Sequence, residues 1–209
     1  KQQKVAASHG AGPLLIVAGA GTGKTTTLTH RVAWLIHKGT DPRRILLLTF
    51  TRRSAAEMLS RVSSCLQRMQ KQATASGSKG GGSLSNAIWG GTFHAMASRL
   101  LRQHGKLIGL EPDFTVLDRS DSEDLLDVVR AELKLSTERR RFPLKQTCLS
   151  IYSRCINSRA KLQIVLEEVF PWCVDFEEEL KQLFKGYVER KDRLNCLDYD
   201  DLLLFWNAL

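Results

Sequence analysis

A glycine-rich stretch near the start of the chain carries residue types that bind phosphate. Residues 16–27 read IVAGAGTGKTTT, which matches the pattern G-x-x-x-x-G-K-[ST] except that Ala18 replaces the first glycine. In this pattern, backbone N–H groups surround phosphates at a helix N-terminus, the lysine reaches the terminal phosphates, and the hydroxyl binds Mg²⁺. Gly23, Lys24 and Thr25 supply those parts. The stretch therefore predicts a site for a nucleoside triphosphate with Mg²⁺.

The alanine at position 18 is compatible with this interpretation. A small side chain is tolerated there because Gly19 and Gly21 can carry the turn. The loop also needs a strand before it and a helix after it. The apolar run Leu14–Ala18 predicts a buried parallel strand, and the helical spacing of apolar residues from Lys24 predicts a helix.

The order strand then helix continues through the front half. Residues Ile45–Phe50 predict a second buried strand, followed by a helix that starts at the capping box Ser54-x-x-Glu57. A third strand is predicted near Ala87–Gly90, and the helix after it begins at Thr92. This alternation predicts a parallel α/β sheet.

The back half is predicted to be mostly helical, with helices at about 120–135, 143–158, 162–169, 174–193 and 198–209. We expect a core over residues 1–118, which includes a flexible Gly/Ser loop at 73–86. A helical subdomain over 119–194 and a helix over 195–209 that returns to the core complete the expected organisation.

Charge is divided unevenly along the chain. Residues 1–110 hold 16 lysine and arginine residues against two acidic residues, Asp41 and Glu57, whereas residues 111–209 hold 15 basic and 20 acidic residues. An almost acid-free half is typical of a surface that meets a polyanion such as nucleic acid. The alternative is that the balance of charged residues on a soluble surface has drifted at random.

Other compositional features exclude several classes of protein. The five cysteines are scattered without a C-x-x-C spacing, so we expect free thiols, several of them buried, and neither a disulfide framework nor a zinc site. No apolar run approaches the roughly 20 residues that a membrane span needs. We therefore expect a cytoplasmic protein with no membrane partner.

Four ordered blocks of sequence resemble the N-terminal half of UvrD/Rep/PcrA-type superfamily-1 DNA helicases. AGAGTGKT is similar to the alanine-initiated Walker A motif of that family, LLLTFTRRSAAEM at Leu46–Met58 to its motif Ia, and GGTFHAMASRLLRQHG at Gly90–Gly105 to its motif Ib. FTVLDRSDSEDLL and LDYDDLLLF resemble later segments. The resemblance implies an α/β fold of the P-loop NTPase (RecA-like) type. Such a fold has a parallel sheet with helices on both faces and an inserted all-helical subdomain.

The same resemblance implies ATP and Mg²⁺ as cofactors. Lys24 and Thr25 would be the catalytic residues of this chain, with Thr25 as the metal ligand and Gln2 against the adenine. The full set of implied nucleotide-binding residues is Gln2, Ala20, Gly21, Thr22, Gly23, Lys24, Thr25 and Thr26. Position 26 departs from the family pattern, which often has arginine there, so the base preference is open.

Motifs Ia and Ib imply a groove for single-stranded DNA. The implied DNA-binding residues are Thr49, Phe50, Thr51, Arg52, Arg53, Thr92 and His94. They lie where predicted parallel strands end and helices begin, which is the usual ligand side of an α/β sheet. Phe50 could stack on a base, while Arg52 and Arg53 neutralise phosphate. The alternatives are that Phe50 belongs to the core, that the arginines form a solvated first turn, and that His94 is structural.

The family that the sequence resembles has further motifs and a second domain that are not found in these 209 residues. The family's Asp-Glu motif for Mg²⁺ and water, a second motor domain and its arginine fingers are absent, so we expect the N-terminal portion of a 3′–5′ helicase truncated before its Walker B motif. Two alternatives stay open. One is a stand-alone module that binds DNA and ATP without turnover. The other is a small P-loop ATPase that uses Asp118, although Asp118 also suits a helix start with Ser120-x-x-Glu123 as a capping box.

Overall fold

The computed structural model describes residues 2–10, 12–19, 21–74, 87–135 and 142–209. The chain divides into two units, Lys1–Met96 and Ala97–Leu209. Ala20 and most of the predicted flexible loop, residues 75–86, lie outside the described residues. The domain boundaries predicted at 118 and 194 remain predictions.

The first unit contains a parallel strand pair with helices. Its elements are α1 (Gln2–Ala7), α2 (Lys24–His37), a 3₁₀ turn (Pro42–Arg44), β1 (Leu46–Thr49), α3 (Arg52–Thr74), β2 (Trp89–Thr92) and the start of α4 (Phe93–His104). β1 pairs with β2 in parallel, from Leu46 opposite Trp89 to Thr49 opposite Thr92. The predicted second and third strands are therefore confirmed, with the third displaced toward the C-terminus by two residues.

The strand predicted at Leu14–Ala18 is wrong for this structure. These residues are not assigned to a strand, and Leu15 and Val17 are each 88% exposed. A buried strand requires neighbours along its edges and cover on its faces, and among the described residues β1 pairs only with β2. An apolar run reports a tendency toward burial, but it does not identify the partner that supplies it.

The core of the first unit forms between α2, α3 and the strand pair. Val32 and Ala33 on α2 pack in one cluster with Leu47 on β1 and with Met58 and Val62 on α3. Leu28, Val32 and Leu35 on α2 recur at helical spacing, as do Met58 and Val62 on α3. Burying such a stripe is the main source of helix stability in proteins. This packing holds α2 and α3 against the strand pair.

The second unit is mostly helical, as predicted. Its elements are the rest of α4, a 3₁₀ turn (Gly105–Ile108), β3 (Thr115–Val116), α5 (Arg119–Glu132), α6 (Lys145–Ser158), α7 (Leu162–Val169), a 3₁₀ segment (Pro171–Phe176), α8 (Glu177–Arg193), β4 (Cys196–Leu197) and α9 (Tyr199–Ala208). β3 pairs with β4 in parallel. The sequence pattern missed β4 because two residues carry no readable periodicity.

Parallel pairing and predominantly helical structure bear out the coarse fold prediction. Within the described residues the strands form two separate two-stranded sheets, so the continuous RecA-like sheet and the inserted subdomain stay expectations. None of the described helices is long and apolar enough to cross a membrane. All five cysteines are free thiols as predicted, three of them buried, and burial raises the pKa of Cys148 to about 12.

Asp118 is a helix cap. It precedes α5, its carboxylate accepts a hydrogen bond from the Asp121 backbone N–H at 2.9 Å, and the Asp121 carboxylate accepts one from the Asp118 N–H at 3.1 Å. The reciprocal pair is therefore Asp118 with Asp121, and the capping box predicted at Ser120 and Glu123 is wrong. The helix begins one residue earlier than the pattern suggested, which places Asp121 at the third helical position.

A buried ion cluster joins α8 to the start of α9. The Lys191 Nζ donates to Oδ2 of Asp198 at 2.6 Å and to Oδ2 of Asp201 at 2.5 Å, and Lys191 is only 3% exposed. The Tyr187 hydroxyl also donates to Asp198 at 3.0 Å. Burial alone would lower the pKa of Lys191, but the nearby carboxylates outweigh it and raise that pKa. Lys191 is therefore a cation held between the two acids that cap α9.

Replacing Lys191 with methionine should lower the free energy of unfolding by about 3–5 kcal/mol, because two buried carboxylates would lose their counter-ion. Lys185→Met, at an exposed position of the same helix, is the matched control and should change it by less than about 0.5 kcal/mol. Urea denaturation followed by circular dichroism measures both.

The stability that Lys191 contributes depends on pH in a defined direction. Because the folded pKa of Lys191 is raised, its contribution is complete below the ordinary lysine pKa and is lost only as pH rises through the folded value. The difference between wild type and Lys191→Met should thus hold between about pH 7 and 9. Equal stability of the two proteins would contradict the structural role of this cluster.

Candidate nucleotide and nucleic-acid site

The glycine-rich loop leads directly into the N-terminus of α2. Gly21 and Gly23 have φ angles of 75° and 86°, a region that residues with a Cβ seldom adopt. Gly23 is the N-cap of α2, no side chain caps the helix, and its first turn has no acidic residue. The first N–H groups of a helix lack intrahelical partners and carry partial positive charge. This end of α2 is therefore suited to an anion.

Lys24 lies folded against the loop. Its Nζ donates to the carbonyl oxygens of Ala18 at 2.8 Å and Gly19 at 2.6 Å, and the side chain is exposed. The Thr22 hydroxyl donates to the same Gly19 oxygen at 2.7 Å. Exposed hydrogen bonds to neutral carbonyls are weaker than bonds to phosphate. An arriving phosphate could thus take Lys24 from the loop with little structural change.

Threonines on α2 differ in exposure along the helix. The hydroxyls of Thr27 and Thr29 donate to the backbone oxygens of Gly23 at 3.1 Å and Thr25 at 2.9 Å, and both residues are buried. Thr25 and Thr26 are exposed in the first turn. The residue predicted to bind Mg²⁺ is therefore accessible. Ala20, also predicted to contact the nucleotide, lies outside the described residues.

The glutamine that reaches the loop is Gln3, one residue beyond the predicted Gln2. The Gln3 Nε2 donates to the Thr22 oxygen at 2.7 Å, and both glutamines are exposed on α1. The contact of Gln2 with the adenine stays a prediction, and the sequence analysis did not anticipate the bond from Gln3 to the loop. A signal was available in the helical phase, since Gln3 and Ala7 are one turn apart and both line the groove between α1 and α2.

The carboxyl ends of β1 and β2 bring the two predicted DNA-binding segments together. Thr49 and Thr92 are register partners at the last positions of the two strands. The Thr51 hydroxyl accepts from the Ser54 N–H at 3.1 Å, and the Thr92 hydroxyl accepts from the Ala95 N–H at 3.2 Å. Threonine thus caps both α3 and α4, and both helix N-termini lie at one edge of the strand pair.

The start of α3 differs from the sequence prediction. The capping box was expected at Ser54 and Glu57, but α3 begins at Arg52 and Thr51 supplies the cap. Glu57 instead forms an ion pair with Arg61 at 2.5 Å. The error arises because threonine and serine are both good N-caps, and only the strand end at Thr49 selects between them.

Phe50 lies on the surface at this edge. It is 88% exposed, and its ring centroid is 5.6 Å from that of Phe93. The alternative that Phe50 belongs to the core is therefore wrong. An exposed aromatic ring supported by a second ring is the kind of platform on which nucleic-acid bases stack.

The first turns of α3 and α4 contain no acidic residue. Arg52 and Arg53 are exposed in the first turn of α3, where the positive end of the helix dipole disfavours cations by about 0.3–1 kcal/mol. By contrast, α5, α8 and α9 of the second unit have acidic first turns. The arginines thus occupy a position that a bound anion would make favourable. His94 lies partly exposed in the first turn of α4.

A comparison with known protein families agrees with the glycine loop and the two strand-end segments described above. The family model described as the UvrD/REP helicase N-terminal domain matches residues 1–209. The chain belongs to the UvrD/REP helicase family. The blocks at the glycine loop, after β1 and after β2 are therefore family motifs rather than chance matches.

Relatives within the UvrD/REP family are bacterial helicases. The chain is 34% identical over 196 residues to the protein named ATP-dependent DNA helicase PcrA of Leuconostoc citreum, covering 92% of this chain and 23% of that protein. It is 34% identical over 192 residues to DNA helicase II of Haemophilus influenzae, covering 91% and 24%. A Staphylococcus aureus PcrA is 31% identical over 206 residues, covering 97% and 25%. The chain thus spans about a quarter of the length of these relatives.

The cap assignment can be tested by stability. Thr51→Ala should lower the free energy of unfolding by about 1 kcal/mol, because the Ser54 N–H at the start of α3 loses its acceptor. Ser54→Ala is the comparison variant, since it removes the hydroxyl that accepts from the Thr51 hydroxyl at 2.8 Å but leaves the Thr51 oxygen as the acceptor of the backbone N–H at position 54. Chemical denaturation of both variants measures the difference. A larger loss in Ser54→Ala would restore the cap that the sequence predicted.

Proposed function

We propose that this chain is the ATP- and single-stranded-DNA-binding N-terminal portion of an ATP-dependent 3′–5′ DNA helicase. The observation that carries the proposal is that a helix without an acidic first turn follows the glycine loop and each of the two paired strand ends, at Thr49 and Thr92. Membership in the UvrD/REP family supports the same function.

In this proposal, ATP binds at the N-terminus of α2. Lys24 leaves the Ala18 and Gly19 oxygens and pairs with the terminal phosphates, while the loop amides around Gly23 donate to the others. Thr25 supplies a hydroxyl to Mg²⁺, which neutralises phosphate charge when bound. One protein ligand fits this ion, because Mg²⁺ is usually held by few protein groups together with waters and phosphates. Gln3, which is bonded to the loop at Thr22, is proposed to lie on the base side of the nucleotide.

Single-stranded DNA is proposed to cross the edge formed by Thr49 and Thr92. Phe50 stacks on a base, and Arg52 and Arg53 neutralise backbone phosphate. Thr92 keeps α4 capped, so that His94 and the helix N-terminus can hold a phosphate. The low acid content of residues 1–110 supports this choice of ligand.

Translocation is proposed to require the rest of the parent protein. A second motor domain would close on the nucleotide and supply arginines, and the relatives' greater length leaves room for it. The small-ATPase alternative is less favoured because the Asp118 carboxylate is bonded to a backbone N–H at the start of α5. The chain could bind both ligands without turnover, as the module alternative requires.

Nucleotide binding is tested with Mg²⁺ and a fluorescent ATP analogue. Lys24→Ala should weaken binding by roughly 10- to 100-fold, the worth of a charge-assisted hydrogen bond to phosphate. Lys38→Ala, an exposed lysine at the other end of α2, should bind like wild type. Equal nucleotide affinity for wild type, Lys24→Ala and Lys38→Ala would contradict phosphate binding at this loop.

The same titration separates Gln3 from Gln2. Gln3→Ala should weaken binding by several-fold because the loop loses the bond to Thr22, worth roughly 0.5–1.5 kcal/mol. Gln2→Ala should leave the affinity unchanged. The opposite order would support the sequence prediction instead.

DNA binding is tested with a fluorescent oligo-dT by anisotropy. Phe50→Ala should weaken binding by roughly 5- to 150-fold, corresponding to about 1–3 kcal/mol per stacked base. Its stability should not change, because the ring is exposed. Trp172→Ala is the matched control, since Trp172 is a 69% exposed aromatic in the acidic stretch between Glu167 and Glu179. If Trp172→Ala lost DNA binding and Phe50→Ala did not, the proposed DNA site at Phe50 would be contradicted.

A further inference from the structure

A cavity of about 240 Å³ lies between α2 and α3, and Thr26 is the one predicted nucleotide-binding residue in its wall. Its wall includes Thr26 and His30 from α2 and Arg61, Ser64, Cys65 and Arg68 from α3. The family motifs do not account for the residues of α3 beyond Met58. The side chains that α3 contributes to this cavity therefore have no role in the function proposed above.

The cavity gathers positive charge. Arg61 and Arg68 are seven residues apart, so two turns of α3 place them on one face. α2 has no acidic residue, and in α3 the sequence has one, Glu57. Glu57 pairs with Arg61 at 2.5 Å, but both side chains are about half exposed, and such pairs contribute at most about 1 kcal/mol. The wall thus keeps a positive balance.

Arg68 is not neutralised by its visible bond. Its Nε donates to the backbone oxygen of Ser64 at 3.3 Å, and a carbonyl carries no net charge. The His30 imidazole lies in the same wall, with Nδ1 3.9 Å from the Cys65 sulfur. The guanidinium groups of Arg61 and Arg68 on one face of α3 repel each other, and an anion bound between them removes that repulsion. Ser64 and Thr26 add hydroxyl donors suited to the same anion.

We propose that this cavity binds a phosphate-bearing anion at a second site, separate from the phosphate loop. Arg68 is the principal ligand, and Arg61 becomes a ligand when Glu57 releases it. Two sources share this chemistry: free phosphate or pyrophosphate, and a backbone phosphate of DNA. The inference does not require the loop to bind ATP.

Cys65 provides a reporter inside the cavity. It is 5% exposed and is the one cysteine of the first unit, so an anion in the cavity should slow its alkylation. Cys148 and Cys173 of the second unit are buried thiols whose pKa is raised by burial, and they serve as internal references. The rate is measured with iodoacetamide by peptide mass spectrometry at increasing pyrophosphate.

The experiment uses the Lys24→Ala background to remove the phosphate loop. Pyrophosphate should protect Cys65 in that background and leave the references unchanged. Arg68→Gln should raise the half-protecting concentration by roughly tenfold, as expected for one charge-assisted bond. Glu57→Gln should lower it by roughly two- to fivefold because Arg61 is freed. Arg44→Gln, an exposed arginine outside the cavity, is the matched control and should have no effect.

Separate arms identify the source. Protection by oligo-dT in the Lys24→Ala background assigns the anion to DNA, whereas protection by pyrophosphate alone assigns it to the free anion. Protection by Mg-ATP and by neither other ligand, lost in Lys24→Ala, would report only a nucleotide at the loop and would overturn the second site. Absence of protection by pyrophosphate, oligo-dT and Mg-ATP would overturn the proposal, as would protection that is equal in Arg68→Gln and its parent. An increase in affinity for Glu57→Gln is the result that a merely structural arginine would not produce.

Discussion

The parallel pairing of β1 with β2 is the constraint on which the site depends. It places Thr49 beside Thr92, and each strand is followed within three residues by a helix whose N-cap is a threonine. Two helix N-termini therefore meet at one edge, and Phe50 is left on the surface between strand and helix. If the register were shifted by one residue, the side chains of the shifted strand would point to the opposite face of the sheet, and the side chains of the two motifs would separate.

Helix ends, rather than acidic clusters, determine the electrostatics of the first unit. Its helices α2, α3 and α4 begin without an acidic residue, and so do α6 and α7 of the second unit, whereas α5, α8 and α9 begin with carboxylates. Carboxylates near an N-terminus stabilise a helix, so omitting them has a cost that a bound phosphate can offset. Threonine hydroxyls cap α3 and α4, whereas no side chain caps α2, which leaves the first N–H groups of α2 open to an anion.

The sequence predicted the helices and the loop better than their boundaries and partners. Local signals were sufficient for α7 and for the strands that lead to Thr49 and Thr92, because apolar spacing and glycine positions act over a few residues. The caps of α3 and α5 were misplaced, since several residues in each stretch are good N-caps and the choice depends on where the preceding strand ends. The state of residues 14–18 and the contact of Gln3 depend on partners distant in sequence, which a local pattern cannot specify.

Hydrogen–deuterium exchange reports directly on the backbone amides that are proposed to bind phosphate. Mg-ATP should slow exchange at Gly21–Thr27, and oligo-dT should slow it at Arg52–Ala55 and Phe93–Met96, with the second unit's α7 unchanged. Exchange that stays the same at all three helix starts, in the presence of saturating ligand, would contradict the assignment of these N-termini to phosphate.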